Sequence, residues 1–359
     1  MDLGEPDSGP DPAADLGKAV LSAPTRLELT TVGPDFAVIH HELEVRHYPD
    51  LEPDTFYEIE GFAFRTLPIP GELLSSFATV NDVHFGEEIA GLVSGTDIGP
   101  TFRSAPGDDP YPDVMNRSAV AEISARDFSA VVVKGDLTSH GTVEEYTAFK
   151  ALYEPAFGDR LHVVRGNHES FYRSNFAATP FQEVSLPGVT LAILDTSVDG
   201  SPAGTVCADQ LDQLDELAAC ADCPVLVFGH HHLGDRHSVD MADRTFGIDV
   251  DASDLLVAVF ARRPILRGYF SGHTHRNRVR RFPATGAVPW VEVACVKDYP
   301  GAWAEYRVHE RGILQVFHRI AAPEALVWSQ RTRHMYEGLY EDYAFGTLAD
   351  RCFVIETES

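Results

Sequence analysis

The sequence predicts an α/β fold, with sheet strands at the core and helices covering them, and three observations carry that prediction. From about Ser76 onward, short apolar runs of buried-strand length recur along the chain. Amphipathic stretches with helical spacing fall between several of them. Each run stops abruptly at a polar cluster, most of which contain glycine.

Taken in order, residues 1–24 are acidic and rich in Pro and Gly, and they read as a disordered tail. Residues 25–70 read as a short N-terminal β-rich extension. There RLELTTV, DFAVIHHELEV and TFYEIEGFAF alternate apolar with polar residues between Gly-Pro and Pro-Asp breaks. The main domain is expected over residues 71–320. Its runs are SSFATV before Asn81-Asp82, SAVVV before Lys134-Gly135-Asp136, LHVV before Arg165-Gly166-Asn167-His168, TLAIL before Asp195, PVLVF before Gly229-His230, and ILRGYF before Ser271-Gly272-His273. Helices are expected over residues 143–153, 209–217 and 253–261, the second with Leu211, Leu214 and Leu217 three apart. In residues 321–359, Trp328, Met335, Tyr336, Leu339, Tyr340 and Tyr343 fall near helical spacing. That segment is expected to pack on the body, to act as a lid, or to form a dimer contact.

Composition removes several classes of function. The chain has 359 residues, 44% of them hydrophobic, and a mean hydropathy of −0.13, which excludes a wholly disordered protein. No apolar run approaches the ~18 residues that cross a bilayer, so no membrane association is expected. Lys and Arg total 28 against 55 Asp and Glu, a formal charge of −27. A nucleic-acid polymer is therefore excluded as a partner, because its backbone needs a basic track. A small phosphorylated substrate is not excluded, since a metal centre supplies positive charge locally. Five cysteines make no disulfide framework, and Cys220-x-x-Cys223 lacks a second pair for zinc. The first residues carry neither a basic n-region nor an apolar h-region, so a cytoplasmic setting is expected and the sequon at Asn116 is discounted.

The polar clusters share a vocabulary: Asp82-Val83-His84, Gly135-Asp136, Gly166-Asn167-His168-Glu169, Gly229-His230, and Gly272-His273-Thr274-His275. Aligned strands bring such clusters together at their carboxyl ends, where open α/β sheets bind ligands. Asp, Asn and His are hard-to-borderline donors, and there are enough of them for two divalent ions. One such cluster would be weak evidence. Five in order, each ending a buried run, point to a site.

This order resembles the calcineurin-like metallophosphoesterase superfamily: D-x-H, GD, GNH[ED], H, GHxH, spanning about Phe77 to Arg276. The resemblance implies a four-layer α/β/β/α sandwich with a dinuclear centre of divalent or trivalent Mn, Fe or Zn. Matched by motif, Asp82, His84 and His275 would hold one metal. Asn167, His230 and His273 would hold the other, with Asp136 bridging. His231 and His232 follow His230 at once; His230 is taken because the family's ligand directly follows its strand. His168 resembles the family's non-ligand catalytic histidine, which would protonate the leaving group. Two ions sharing a carboxylate would carry a bridging hydroxide that attacks phosphorus. Arg165 and Arg276 are candidates for gripping a phosphate oxygen, and Glu169 for orienting a ligand. Lys134 is expected to be a strand residue facing solvent.

Purple acid phosphatases carry a Tyr ligand three residues after the GD aspartate, where this chain has Ser139. Ser/Thr protein phosphatases read GDxVDRG, and His140 stands in place of that Arg. The segment LDTSVDGSPAGTVCADQLDQLDEL followed by PVLVFGHHH is similar to the class III cyclic-nucleotide phosphodiesterase and glycerophosphodiesterase group. Two features depart from it: His232, where proline is common, and the long insertion at residues 86–113, which is expected to shape the substrate pocket. The expected function is a metal-dependent phosphodiesterase acting on a small-molecule phosphoester, with cyclic nucleotides among the candidates. The alternatives are a phosphomonoesterase on a nucleotide or sugar phosphate, and a non-catalytic scaffold of the same fold. A homodimer is left open.

Overall fold

The computed structural model describes residues 26–93 and 95–357, and the stretch 1–24 expected to be disordered lies outside them. In chain order the strands begin with β1 (Leu27–Val32), β2 (Ala37–His41), β3 (Glu44–Tyr48), β4 (Phe56–Ile59), β5 (Phe62–Arg65) and β6 (Leu73–Val80). Then follow α1 (Tyr111–Ser124), β7 (Ala130–Lys134), α2 (Val143–Phe157), β8 (Leu161–Val164), α3 (Asn167–Phe171), β9 (Phe181–Leu186) and β10 (Val189–Leu194). Next are α4 (Ala208–Cys220), β11 (Val225–Phe228), α5 (Ala242–Thr245), α6 (Val250–Arg262), β12 (Leu266–Ser271), β13 (Arg278–Arg280) and β14 (Trp290–Glu292). The chain closes with β15 (Ala302–His309), β16 (Gly312–Arg319), α7 (Pro323–Thr332), α8 (Tyr340–Phe345), α9 (Leu348–Arg351) and β17 (Phe353–Glu356).

Two six-stranded sheets face each other, in the orders β17-β16-β15-β6-β7-β8 and β13-β14-β12-β11-β10-β9. Strands β6, β7 and β8 run parallel, as do β10, β11, β12 and β14. The parity of β7 shows why the layers form. Ala130 and Val132 meet Phe228 and Phe270 of the opposite sheet, while Val131 and Val133 meet Phe149 and Tyr153 of α2. A strand covered on both faces reads as an unbroken apolar run. On the far side, Leu214 of α4 and Leu256 and Phe260 of α6 cover Val225 and Val227. The result is helix, sheet, sheet, helix.

The helices are longer than their amphipathic cores. Helix α2 runs on to Phe157, and it starts at Thr142, whose hydroxyl accepts from the Glu145 amide at 3.2 Å in a reciprocal cap. Asp249 caps α6 through its side chain alone, accepting from the Ala252 amide at 2.9 Å.

In the N-terminal segment, β1–β3 form a small antiparallel sheet and β4–β5 a hairpin. A buried cluster fastens it to the body: the Glu28 carboxylate accepts from Arg319 at 2.5 Å, Arg333 at 2.9 Å and the Tyr299 hydroxyl at 2.5 Å. The aromatic C-terminal segment is not one helix. It breaks at Tyr336 and Glu337, both with positive φ (54° and 59°). Nor does the main sheet stop at residue 320, because β17 pairs with β16 as its edge strand.

Candidate metal centre

The motif residues converge at the carboxyl ends of the parallel strands. Asp82 and His84 follow β6, Asp136 follows β7, Asn167 opens α3 after β8, His230 follows β11, and His273 and His275 follow β12. The first five are buried; the last two are half-buried. The Asp136 Oδ2 stands 3.5 Å from His84 Nε2 and 3.3 Å from His230 Nε2. The Asp82 Oδ1 is 3.5 Å from His275 Nε2. The Asn167 Oδ1 is met by His230 Nε2 at 2.9 Å and His273 Nδ1 at 2.7 Å. Asp136 therefore touches both groups.

The donor set fits a pair of cations. Carboxylate, amide and imidazole donors suit Mn, Fe or Zn. Both ring nitrogens of His84 are buried without a hydrogen-bond partner, which is costly unless a ligand takes one of them. His230 donates from Nδ1 to the Lys134 carbonyl at 2.8 Å, so its Nε2 is the atom presented to Asp136 and Asn167. Candidate groups of donors within 4.8 Å of one another include Asp82–His84–His275 and Asp82–Asp136–His230.

Electrostatics follow from burial set against opposite charge. Burial pushes both aspartates upward, but His275 outweighs it for Asp82 and His230 for Asp136, so both stay below the usual carboxylate range. Burial likewise opposes charge on His230, yet Asp136 raises that ring to about 9. Burial lowers His84 to about 4, with Lys297 adding to the effect, and His273 to about 3, with His230 adding.

Backbone strain concentrates here. Asp82, His84, Asp136, His273 and His275 all have positive φ, between 47° and 68°. Each such residue costs about 1–3 kcal/mol and persists only where its surroundings over-determine it. The braces are visible. Asp82 accepts from the His273 amide at 3.0 Å, joining the loops after β6 and β12. Glu169 accepts from the Thr138 amide (2.8 Å) and hydroxyl (2.6 Å) and from the Gly166 amide (2.8 Å), joining the loops after β7 and β8. Gly272 is needed because a Cβ there would lie 2.6 Å from Asp82 Oδ2.

His168 sits at the edge, its amide donating to Asp136 Oδ1 at 2.9 Å and its ring 4.4 Å from that of His84. Its Nδ1 donates to the Ser139 carbonyl at 2.7 Å, which leaves Nε2 available for proton exchange. His231 rests Nδ1 on the Thr196 hydroxyl at 2.8 Å, while its Nε2 is buried without a partner near the His273 ring, and it groups with His230 and His273 as donors within 4.8 Å of one another. His232 leans on the Ala242 carbonyl at 3.3 Å.

The two arginines expected at the phosphate are committed elsewhere. Arg165 donates to Asp195 at 2.7 Å and Asp199 at 3.0 Å. Arg276 donates to Glu292 at 2.8 Å, Asp240 at 2.8 Å and Asp243 at 3.2 Å. Lys134 does not face solvent. It is fully buried, its Nζ donating to the Ser271 carbonyl at 2.8 Å, and burial pushes the amine down to about 7. The reason is parity: position 134 falls on the same face as Ala130 and Val132, between the sheets. Asn116, the sequon residue, is also buried, donating to the Val83 and Pro112 carbonyls.

A cleft of roughly 520 Å³ opens beside His273 and His275, walled by Phe246, Tyr336, Leu339 and Tyr343. The C-terminal segment thus supplies one wall of the site. The insertion touches that segment from behind, where the Gly99 carbonyl accepts from the Glu337 amide at 2.6 Å. Three further residues lie behind the histidines: Glu87 against His84, Asp298 against His275, and Lys297 against both carboxylates. Only Glu87, three residues after His84, had a sequence signal, and that signal was weak.

A dinuclear phosphoesterase is the class that this fold and site define. The family model for the calcineurin-like phosphoesterase matches residues 75–277, more than half of the chain, and the chain belongs to that family. None of the curated proteins matches it in sequence. Among solved structures it is similar to a dimetal phosphatase from Danio rerio, with a TM-score of 0.56 and 15% identity over 69% of this chain and 98% of that one. It is similar also to a purple acid phosphatase from yellow lupin, with a TM-score of 0.48 and 13% identity over 80% of this chain and 57% of that one. At 15% identity the likeness to the first of these shows the fold alone. Among the described residues no helix is long and apolar enough to cross a membrane.

Proposed function

We propose that the protein is a metal-dependent phosphodiesterase acting on a small-molecule phosphodiester, with cyclic nucleotides among the candidates. The observation that carries this reading is the state of the cations around the centre. Arg165 is held by Asp195 and Asp199, Arg276 by Asp240, Asp243 and Glu292, and Lys297 by Glu87 and Asp298. A phosphomonoester brings nearly two negative charges at pH 7, whereas a diester brings one. With these three cations already paired to carboxylates, the centre suits the single charge. The cleft's size and its apolar wall favour a small molecule, and a chain charge of −27 repels long polyanions.

In this reading Asp82, His84 and His275 hold one ion, Asn167, His230 and His273 hold the other, and Asp136 serves both. The ions, when bound, activate a water and neutralise the phosphoryl oxygens. The strained loops keep the donors in place, and His168 delivers a proton from Nε2 to the departing alkoxide. The test compares bis(4-nitrophenyl) phosphate with 4-nitrophenyl phosphate on protein reconstituted with Mn, Fe or Zn. A higher kcat/KM on the diester is expected. A preference for the monoester would make the protein a phosphatase, and inertness toward both, without bound metal, would make it a scaffold.

A further inference from the structure

The histidines of one half of the centre are backed by charged side chains outside the motifs. His84 turns Nε2 toward Asp136 and Nδ1 toward Glu87 Oε2, 3.5 Å away. His275 does the same, with Nε2 toward Asp82 and Nδ1 toward Asp298 Oδ2 at 3.9 Å. Lys297 lies between the two carboxylates, its Nζ 2.6 Å from Glu87 Oε2 and 3.3 Å from Asp298 Oδ2. The other oxygen of Asp298 accepts from the Tyr340 hydroxyl at 2.6 Å and from Cys295 Sγ at 2.8 Å. That leaves Oδ2 to face Lys297 and His275. Lys297 and Asp298 are buried, and Glu87 nearly so.

We propose that Glu87, Lys297 and Asp298 form a charged frame that positions His84 and His275 for a cation, an inference that rests on the dinuclear reading above. A carboxylate facing Nδ1 from 3.5–3.9 Å draws the ring proton to that side and so favours the tautomer with the Nε2 lone pair turned forward. Lys297 pairs with both carboxylates and so holds them in register behind the two rings. Because Tyr340 belongs to α8, the frame also ties the cleft wall to the centre. His230 in the other half has no such backing; its Nδ1 meets a main-chain carbonyl.

The experiment uses the full chain, chelated and then titrated calorimetrically with Mn²⁺, alongside Asp298→Asn and Glu87→Gln, which keep the side-chain shape. Wild type is expected to take up two ions. Each variant is expected to bind one of them 10–100-fold more weakly and the other unchanged. Co²⁺ absorption would show the same one-site change independently of turnover. Weakening of neither ion overturns the frame, and so does equal weakening of both, because that marks a general loss of structure. Should Asp298→Asn not fold, Glu87→Gln, at the edge of the cluster, decides alone. A wild-type chain that takes up fewer than two ions overturns the dinuclear reading, and the frame with it.

Discussion

In the half of the centre built from Asn167, His230 and His273, the ring of His230 is anchored by the carbonyl of Lys134, a main-chain atom at the end of β7. In the half built from Asp82, His84 and His275, the rings are backed by the side chains of Glu87 and Asp298, which the chain brings from either end of the domain. The main-chain anchor comes with the strand, and any residue at that position supplies it. The side-chain backing depends on three side chains staying together, so substitution can adjust one half while leaving the other alone. Asp136 lies between them, within 3.5 Å of a histidine of each half.

The largest expected effect erases the contrast. Asp136→Ala removes the carboxylate shared by both halves, and elemental analysis should find neither ion retained and hydrolysis at background. A clean preparation that still holds two ions would remove Asp136 from its bridging place. His168→Ala comes next and belongs to neither half. Its ring is fastened through the Ser139 carbonyl rather than through a ligand, so both ions should remain. Turnover should fall by about 10²–10⁴-fold, the usual worth of a general acid. Undiminished turnover would take His168 out of the chemistry, and loss of an ion would make it a ligand.

The sequence made some of this legible and hid the rest, for physical reasons. Strands such as β7 and β11 announce themselves because both faces are covered, and their polar ends mark the site because ligands sit where those runs stop. Of the three consecutive histidines, His230, the first after the strand, is the one whose Nε2 meets Asp136 and Asn167. The C-terminal segment was not: its aromatic spacing is helical, yet the chain turns at Tyr336 and Glu337, and β17 returns to the main sheet. Lys297 and Asp298 carried no motif, since their role arises from meeting Glu87, 210 residues earlier. Arg165 and Arg276 looked available because a sequence shows a guanidinium but not the carboxylates that surround it. Lys134 misled for a different reason: a cation ending a strand is usually exposed, and here strand parity overrides that expectation.

Lys134 also offers the finest test of the contrast between the halves. Lys134→Met deletes a buried amine while keeping the strand and its carbonyl, so His230 should keep its anchor and the chain should still take up two ions. What is lost is one of two hydrogen bonds to the Ser271 carbonyl, which keeps the Val293 amide as a donor, at a cost of about 0.5–1.5 kcal/mol. Relief from burying a cationic group offsets part of that cost. A small fall in thermal midpoint with unchanged metal content is therefore expected, readable by calorimetric unfolding and elemental analysis of one preparation. If one ion were lost instead, the side chain at position 134 would be holding His230 as surely as Asp298 holds His275. The distinction between a main-chain anchor and a side-chain frame would then not survive.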